Sequence, residues 1–172
     1  MTHKKKNIEY IFEHDTKINM LITGGGMSII TDLLTTAGAA AHIDEINIPY
    51  ASHTLSNWIG VPRYNEIKSS VSKEMATEMA NAAYDNFEGD QDCAFFIGIG
   101  VTAALRTSRA RHSADQAFIS VVINGEEVTF HHLLFTGTNN YLYTRIEQDR
   151  MVGDTVVSEV ARAIRKMVNT DS

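Results

Sequence analysis

A short apolar run near the middle of the chain most constrains the fold. Residues Cys93–Ile97 are five successive apolar side chains. A strand that is apolar on both faces must be covered on both faces, as strands are in parallel sheets flanked by helices. The chain has 172 residues, 44% of them hydrophobic, which suffices for one domain with its own core. We therefore expect a central strand with helices on both sides.

Other strand and helix patterns are arranged around this run. Strands are predicted over Lys17–Ile22 and Ile43–Ile48, and Asn124-Gly125 predicts a tight hairpin between two later strands. The succession of strand, helix, strand, helix, helix, strand, hairpin and helix favours a three-layer α/β/α single domain. Its mixed sheet should be parallel in the first half. We expect an N-terminal extension with a short helix over residues 1–16 and the α/β domain over residues 17–172.

Helix start and stop signals set the predicted helix limits. A helix over Leu55–Val61 is expected to end at Pro62, which cannot continue it. Ser72 is a good N-cap for the longest predicted helix. Thr144-x-x-Glu147 is a capping box that should begin the last helix.

Charge and cysteine content exclude several classes of protein. With 15 basic and 21 acidic residues, the net charge is −6, which argues against nucleic-acid binding through bulk charge. Cys93 is the only cysteine and lies in a predicted strand, as an inert core residue without a disulfide. No apolar run approaches the roughly 20 residues of a membrane span. We expect a cytoplasmic protein with no membrane partner, no metal and no cofactor.

The first candidate ligand site is a glycine-rich turn after the first strand. Thr23-Gly24-Gly25-Gly26 leads from that strand into a helix. Backbone N–H groups without nearby Cβ atoms can approach an anion, and a helix N-terminus adds partial positive charge. The sequence has neither a P-loop lysine nor GxGxxG here. A phosphate cradle and a simple tight turn both remain open.

A second glycine pair is followed by basic residues. Gly98-Ile99-Gly100 is interpreted as a turn after the central strand, with Thr102 beyond it. Arginine forks beside a glycine turn suit a phosphate or carboxylate ligand. The alternative is a solvated loop whose arginines offset nearby acids. The three arginines of this segment are Arg106, Arg109 and Arg111.

Several short motifs together carry a family resemblance. They are Thr23-Gly24-Gly25-Gly26, Leu33-Leu34-x-x-x-Gly38-Ala39, Ile48-Pro49-Tyr50-Ala51-Ser52, Ile59-Gly60-Val61, Ser72-x-Glu74-x-Ala76 and Gly98-Ile99-Gly100-Val101-Thr102-Ala103-Ala104-Leu105, followed by Arg109 and Asp115. From about Ile18 to Val168 the chain resembles the CinA C-terminal domain family, which includes the nicotinamide-nucleotide amidases. The resemblance implies a CinA-like α/β fold and a divergent position within that family.

The departures from the amidase pattern bear on catalysis. The resemblance implies a nucleophilic serine within Glu-Ser-Cys-Thr-Gly-Gly, where this chain has Leu21-Ile22-Thr23-Gly24-Gly25. It also implies a lysine base in Tyr-Ser-Asn-x-x-Lys, where Leu55 stands here. A weak nucleophile needs an adjacent base. With both partners missing, we expect no amidase chemistry and no catalytic residues of that type.

The main hypothesis is therefore a non-catalytic binder of a nucleotide derivative, such as an NAD-related mononucleotide or an ADP-ribose compound. Its phosphates would bind the first glycine turn and the arginine segment. The candidate contacts to ribose or base are Tyr50, Ser52, His53 and Thr102. By analogy, such a protein would act as a sensor or sponge for a nucleotide signal.

Two other hypotheses stay open from sequence. One is an amidohydrolase on nicotinamide mononucleotide-like substrates, with Thr23, Ser28 or Ser52 as nucleophile and His53 or His112 as base. The other is a structural subunit with an empty vestigial pocket.

A homo-oligomer is also expected, because apolar side chains near the last helix exceed what one helix face can bury. These residues are Tyr141, Tyr143, Met151 and Val152.

Overall fold

The computed structural model describes residues 2–89, 92–108, 113–135 and 143–170. Its sheet has five strands in the order β2-β1-β3-β4-β5. β1 lies parallel to both β2 and β3, and β3, β4 and β5 are successively antiparallel. The mixed sheet predicted from sequence is confirmed. The strands are β1 (Thr16–Thr23), β2 (Ile43–Asn47), β3 (Phe95–Ala104), β4 (Gln116–Ile123) and β5 (Glu126–Leu134).

Helices cover both faces of this sheet, so the three-layer α/β/α architecture is also confirmed. α1, α2 and α7 pack on one face, and α4, α5 and α6 lie on the other. In the described part of the chain, none of the helices combines the length and the apolar composition of a membrane span. The helices are α1 (His3–Phe12), α2 (Ser28–Leu34), α3 (Ala39–His42), α4 (Ser52–Ile59), α5 (Val61–Glu66), α6 (Lys73–Asp85) and α7 (Arg145–Thr170).

The larger core lies between the sheet and α7. Alternate residues of β1 and β3 point into it, because successive strand side chains face opposite sides. The N-terminal helix shares this core, since Ile8 and Ile11 of α1 are buried with Val160 and Ile164 of α7. The segment expected as an extension thus packs with the domain in one hydrophobic cluster.

Three local sequence signals act as predicted. The Ser72 hydroxyl accepts a hydrogen bond from the backbone N–H of Met75 at 3.1 Å and caps α6. Asn124 and Gly125 take φ values of 52° and 92° in the β4–β5 hairpin, the left-handed conformation that a two-residue turn requires. The capping box at the start of α7 forms both of its reciprocal hydrogen bonds.

Pro62 starts a helix instead of ending one. α4 stops at Ile59, Gly60 turns the chain with φ of 92°, and Pro62 lies in the first turn of α5. Proline suits that position because the first-turn N–H groups have no partner within the helix. The predicted single helix over Leu55–Val61 is therefore wrong at its C-terminal end.

The predicted turn at Gly98-Ile99-Gly100 is also wrong, because β3 continues through it from Phe95 to Ala104. Gly98 and Gly100 face α6. A Cβ atom at Gly98 would meet the backbone of Ala80, and one at Gly100 would meet the backbone of Ala76. These glycines allow α6 to approach the sheet closely. Their place under a helix leaves no room for the ligand contacts predicted for them.

This close approach predicts a stability effect. In Gly100→Ala the new methyl group would lie 2.9 Å from Cβ of Met79 and closer still to the α6 backbone. Overpacking of this kind costs about 1–3 kcal/mol. Urea unfolding should show that loss for Gly100→Ala. Gly89→Ala is the matched control, because no atom lies within 4 Å of the added methyl group. Equal stability of the two variants would contradict the packing role.

Candidate functional site

A cavity of about 240 Å³ lies at the carboxyl ends of the parallel strands β1 and β3. Ligands of open α/β sheets bind at this edge. Five of the candidate residues meet in its lining, namely Thr23, Gly24, Tyr50, Ser52 and Thr102. The sequence analysis missed the other five, which are Leu55, Tyr64, Ser70, Val71 and Ala103. We call this site the hydroxyl cavity.

Several elements bring these side chains together. Thr23 ends β1 and is paired with Thr102 of β3, so both side chains point to the same face of the sheet. Tyr50 and Ser52 come from the turn after β2 and the start of α4. Ser70 lies just before the α6 cap. The cavity is thus formed by the ends of β1 and β3 together with the segments after β2 and before α6.

Among the described residues, the lining of the hydroxyl cavity combines polar and apolar side chains and includes no charged one. Only one of its side-chain hydroxyls is used internally: that of Thr102, which is fully buried, donates to the backbone carbonyl of Ser70. Within the described residues, the other hydroxyls have no hydrogen-bond partner and remain available to a ligand. They belong to Thr23, Tyr50, Ser52, Tyr64 and Ser70.

The first glycine turn is hydrogen-bonded to a carboxylate of the same chain. The Asp149 carboxylate accepts hydrogen bonds from the backbone N–H groups of Gly26 at 2.7 Å, Met27 at 2.9 Å and Ser28 at 3.0 Å. Gly25 does not line the cavity, and a Cβ atom there would meet the side chain of Leu105. Asp149 therefore occupies the amide of Gly26, one of the three amides over Gly24–Gly26 that were expected to hold a phosphate, together with those of Met27 and Ser28.

Arg145 fixes the same turn from the other side. Its guanidinium donates to the carbonyl oxygen of Gly24 at 3.3 Å and to that of Arg106 at 3.0 Å. Arg145 and Asp149 lie four residues apart in the first turns of α7, so both reach the loop after β1. The capping box located this helix start, but nothing local in the sequence indicated which loop it contacts.

The arginine segment lies only partly within the described residues. The guanidinium of Arg106 donates to the carbonyl of Tyr143 at 3.1 Å. The backbone N–H of Arg106 donates to the side-chain oxygen of Gln148 at 2.7 Å. Arg106 does not line the hydroxyl cavity. Arg109 and Arg111 lie outside the described residues, and so does His112.

The proposed hydrolytic groups are separated in the structure. Thr23 and Ser52 line the cavity, whereas His53 is exposed on α4 and does not. The Ser28 hydroxyl donates to the backbone carbonyl of Asp149 at 3.4 Å and lies outside the lining. No pair of nucleophile and histidine base is assembled by the described residues of the cavity.

Two further expectations change with the structure. Cys93 precedes β3 and is half-buried, and burial raises the pKa of its thiol. The apolar residues that suggested an oligomer are used within the chain: Val152 is fully buried and Met151 packs against the larger core. Tyr143 is partly exposed, and Tyr141 lies outside the described residues. A homo-oligomer remains a prediction, but these apolar residues no longer support it.

The fold is similar to solved structures of CinA superfamily proteins. One from Klebsiella pneumoniae is 13% identical, with a TM-score of 0.68 over 94% of this chain and 99% of its own. The competence/damage inducible protein CihA from Agrobacterium tumefaciens is 14% identical, with a TM-score of 0.69 over 100% of this chain and 98% of its own. No protein-family profile and no curated protein sequence matches. The expected CinA-like fold is confirmed, and the likeness is one of fold.

Asp149 should matter for stability. Asp149→Ala leaves three backbone N–H groups without an acceptor, and an unsatisfied buried group costs about 1–3 kcal/mol. Asp154→Ala on the same helix is the matched control: Asp154 is half exposed and pairs with Lys4 at 3.0 Å, a contact of about 1 kcal/mol at most. Chemical unfolding of both variants measures the difference. A smaller loss for Asp149→Ala than for Asp154→Ala would contradict the role of the carboxylate.

Proposed function

We propose that this protein binds a nucleotide derivative without converting it, with the nucleoside part in the hydroxyl cavity. The observation that carries the proposal is a set of unpartnered hydroxyls at the carboxyl edge of a parallel sheet, in a lining without charged side chains among the described residues. An NAD-related mononucleotide is the ligand class that we favour.

The size of the cavity limits the ligand part that it holds. At about 240 Å³, it lies just below the range of roughly 300–1,000 Å³ typical of pockets for drug-sized ligands. A nucleoside is closer to this size than a dinucleotide. The phosphates of a nucleotide would then lie outside the cavity.

The chemistry of the lining suits a sugar. Ribose hydroxyls both donate and accept hydrogen bonds, and serine, threonine and tyrosine hydroxyls do the same. Thr23, Ser52 and Ser70 each offer a hydroxyl without an internal partner among the described residues. Tyr50 and Tyr64 add aromatic surface against which a base ring could pack.

Binding is better supported than hydrolysis. A serine or threonine nucleophile needs a general base within hydrogen-bond reach. The described lining contains no histidine, lysine, aspartate or glutamate to activate Thr23 or Ser52. The amidohydrolase alternative therefore has candidate nucleophiles but no candidate base beside them. A binder of this kind would sequester or sense its ligand.

The phosphate of the proposed ligand would have to bind somewhere other than the first glycine turn, where the sequence suggested it. The amides of Gly26, Met27 and Ser28 are bonded to Asp149, whose negative charge would also repel a phosphate. The ligand anion would therefore lie away from this turn.

Paired variants of α4 test this function. Ser52→Ala removes a hydroxyl of the cavity, and Ser56→Ala removes one whose bond is to the carbonyl of His53 in the same helix. Loss of one neutral hydrogen bond costs about 0.5–1.5 kcal/mol, so Ser52→Ala should weaken nicotinamide mononucleotide binding about 2- to 12-fold. Ser56→Ala should bind as the wild type does. Calorimetry measures both affinities.

Mass spectrometry of the incubated ligand completes the test. We expect the mononucleotide to be recovered intact. Release of nicotinamide or of a deamidated product by the wild type would contradict a binder and favour the hydrolase. Absence of binding across a panel of NAD-related nucleosides, mononucleotides and ADP-ribose would overturn the proposed function.

A further inference from the structure

A second cavity lies between α4 and α6 and shares no lining residue with the hydroxyl cavity. Its volume is about 300 Å³. Its lining consists of Trp58, Ile59, Glu78, Asn81, Ala82, Asp85 and Asn86. We call it the tryptophan cleft.

One wall of the cleft is apolar and the other is polar. Trp58 and Ile59 of α4 form the apolar wall. The polar wall is one face of α6, since its lining residues recur at spacings of three and four. Trp58, Ile59 and Ala82 also pack against the smaller core. The shape of the cleft is therefore set by buried contacts on both sides.

The charge at the cleft is negative. The Glu78 carboxylate accepts from Arg63 at 2.8 Å and is paired. Glu45 of β2 accepts from the Asn86 amide at 2.6 Å, a neutral donor. Asp85 has no ion pair among the described residues. Of the two carboxylates in the described lining, Glu78 is therefore paired with Arg63 and Asp85 has no cation beside it.

A buried acceptor without a partner lies under the same end of α6. Asn19 of β1 is 2% exposed, and its side-chain N–H donates to the carbonyl of Ala83 at 3.2 Å. Its Oδ1 atom has no hydrogen-bond partner among the described residues. Asn19 is paired in register with Glu45, whose carboxylate bonds Asn86 of the cleft. Asn19 itself does not line the cleft.

We infer that the tryptophan cleft binds a small organic cation, an ammonium or guanidinium group on a short aliphatic body. An indole ring attracts cations through its π face, and the carboxylate of Asp85 can accept the N–H groups of such a cation. Ile59 and Ala82 would contact the aliphatic part. The unpaired carboxylate of Asp85 disfavours a phosphate ligand here, so this site is independent of the proposed nucleotide binding.

The chain itself supplies the reporter for this site, because Trp58 is its only tryptophan. We expect n-butylammonium chloride to change the fluorescence of Trp58 and to shift its single indole N–H resonance in a saturable manner. Sodium chloride at the same ionic strength should not. Asp85→Asn should weaken the binding about 3- to 10-fold, as expected for loss of one charged partner. Glu88→Gln is the matched control, since Glu88 is an exposed acid nearby that does not line the cleft.

Three results would overturn the inference. The first is an absence of saturable change with n-butylammonium or n-butylguanidinium at concentrations up to about 100 mM. The second is equal affinity of Asp85→Asn and Glu88→Gln. The third is a lysine-containing peptide that binds more than tenfold tighter than n-butylammonium, which would assign the cleft to a protein partner. Neither nucleotide result bears on these outcomes.

Discussion

The close approach of α6 to β3 is the contact on which the hydroxyl cavity depends. Gly98 and Gly100 carry no Cβ atom, so the helix backbone lies directly on the strand. That contact fixes the segment before α6, where the carbonyl of Ser70 accepts the hydroxyl of Thr102. Ser70 and Val71 are thereby held over the end of the sheet, opposite Thr23. The shape of the cavity therefore depends on the packing of the α6 backbone on Gly100, which lies two residues before Thr102 in β3.

The first turn of α7 is the second contact that determines the structure around the candidate site. Arg145 and Asp149 hold the loop after β1 by its carbonyl and amide groups respectively. A carboxylate fixed within the same chain competes with any external anion, because its position costs no entropy of association. The glycine-rich turn consequently connects β1 to α2 and is held in place by hydrogen bonds with α7. The proposed ligand would therefore bind on the side of Gly24 that carries the unpartnered hydroxyls.

The sequence predicted what is decided locally. Ser72 caps α6 through a contact three residues away, and Asn124 and Gly125 adopt the φ values that the turn requires, so capping and turn rules located α6 and the hairpin correctly. A glycine within a strand pattern is ambiguous, because it serves a turn or a close packing contact equally well. For Gly98 and Gly100 the choice was made by α6, an element that no local pattern connects with them.

The candidate site was predictable only in part, from the positions of the strand ends. Thr23 and Ser52 come after the strands predicted over Lys17–Ile22 and Ile43–Ile48, and the ends of parallel strands meet at one edge. The partner of the glycine turn was not predictable, since Gly26 and Asp149 are 123 positions apart. Ser70 and Tyr64 were missed because they follow no strand. They reach the cavity only through the path of α5 and the cap of α6.

The central claim is that a ligand occupies the hydroxyl cavity while Asp149 keeps the glycine turn. A crystal structure of the protein grown with nicotinamide mononucleotide tests it directly. The account predicts the ribose within hydrogen-bond distance of the Thr23 and Ser52 hydroxyls, the phosphate outside the cavity, and Asp149 still bonded to Gly26, Met27 and Ser28. A phosphate on those three amides, with Asp149 displaced, would contradict it.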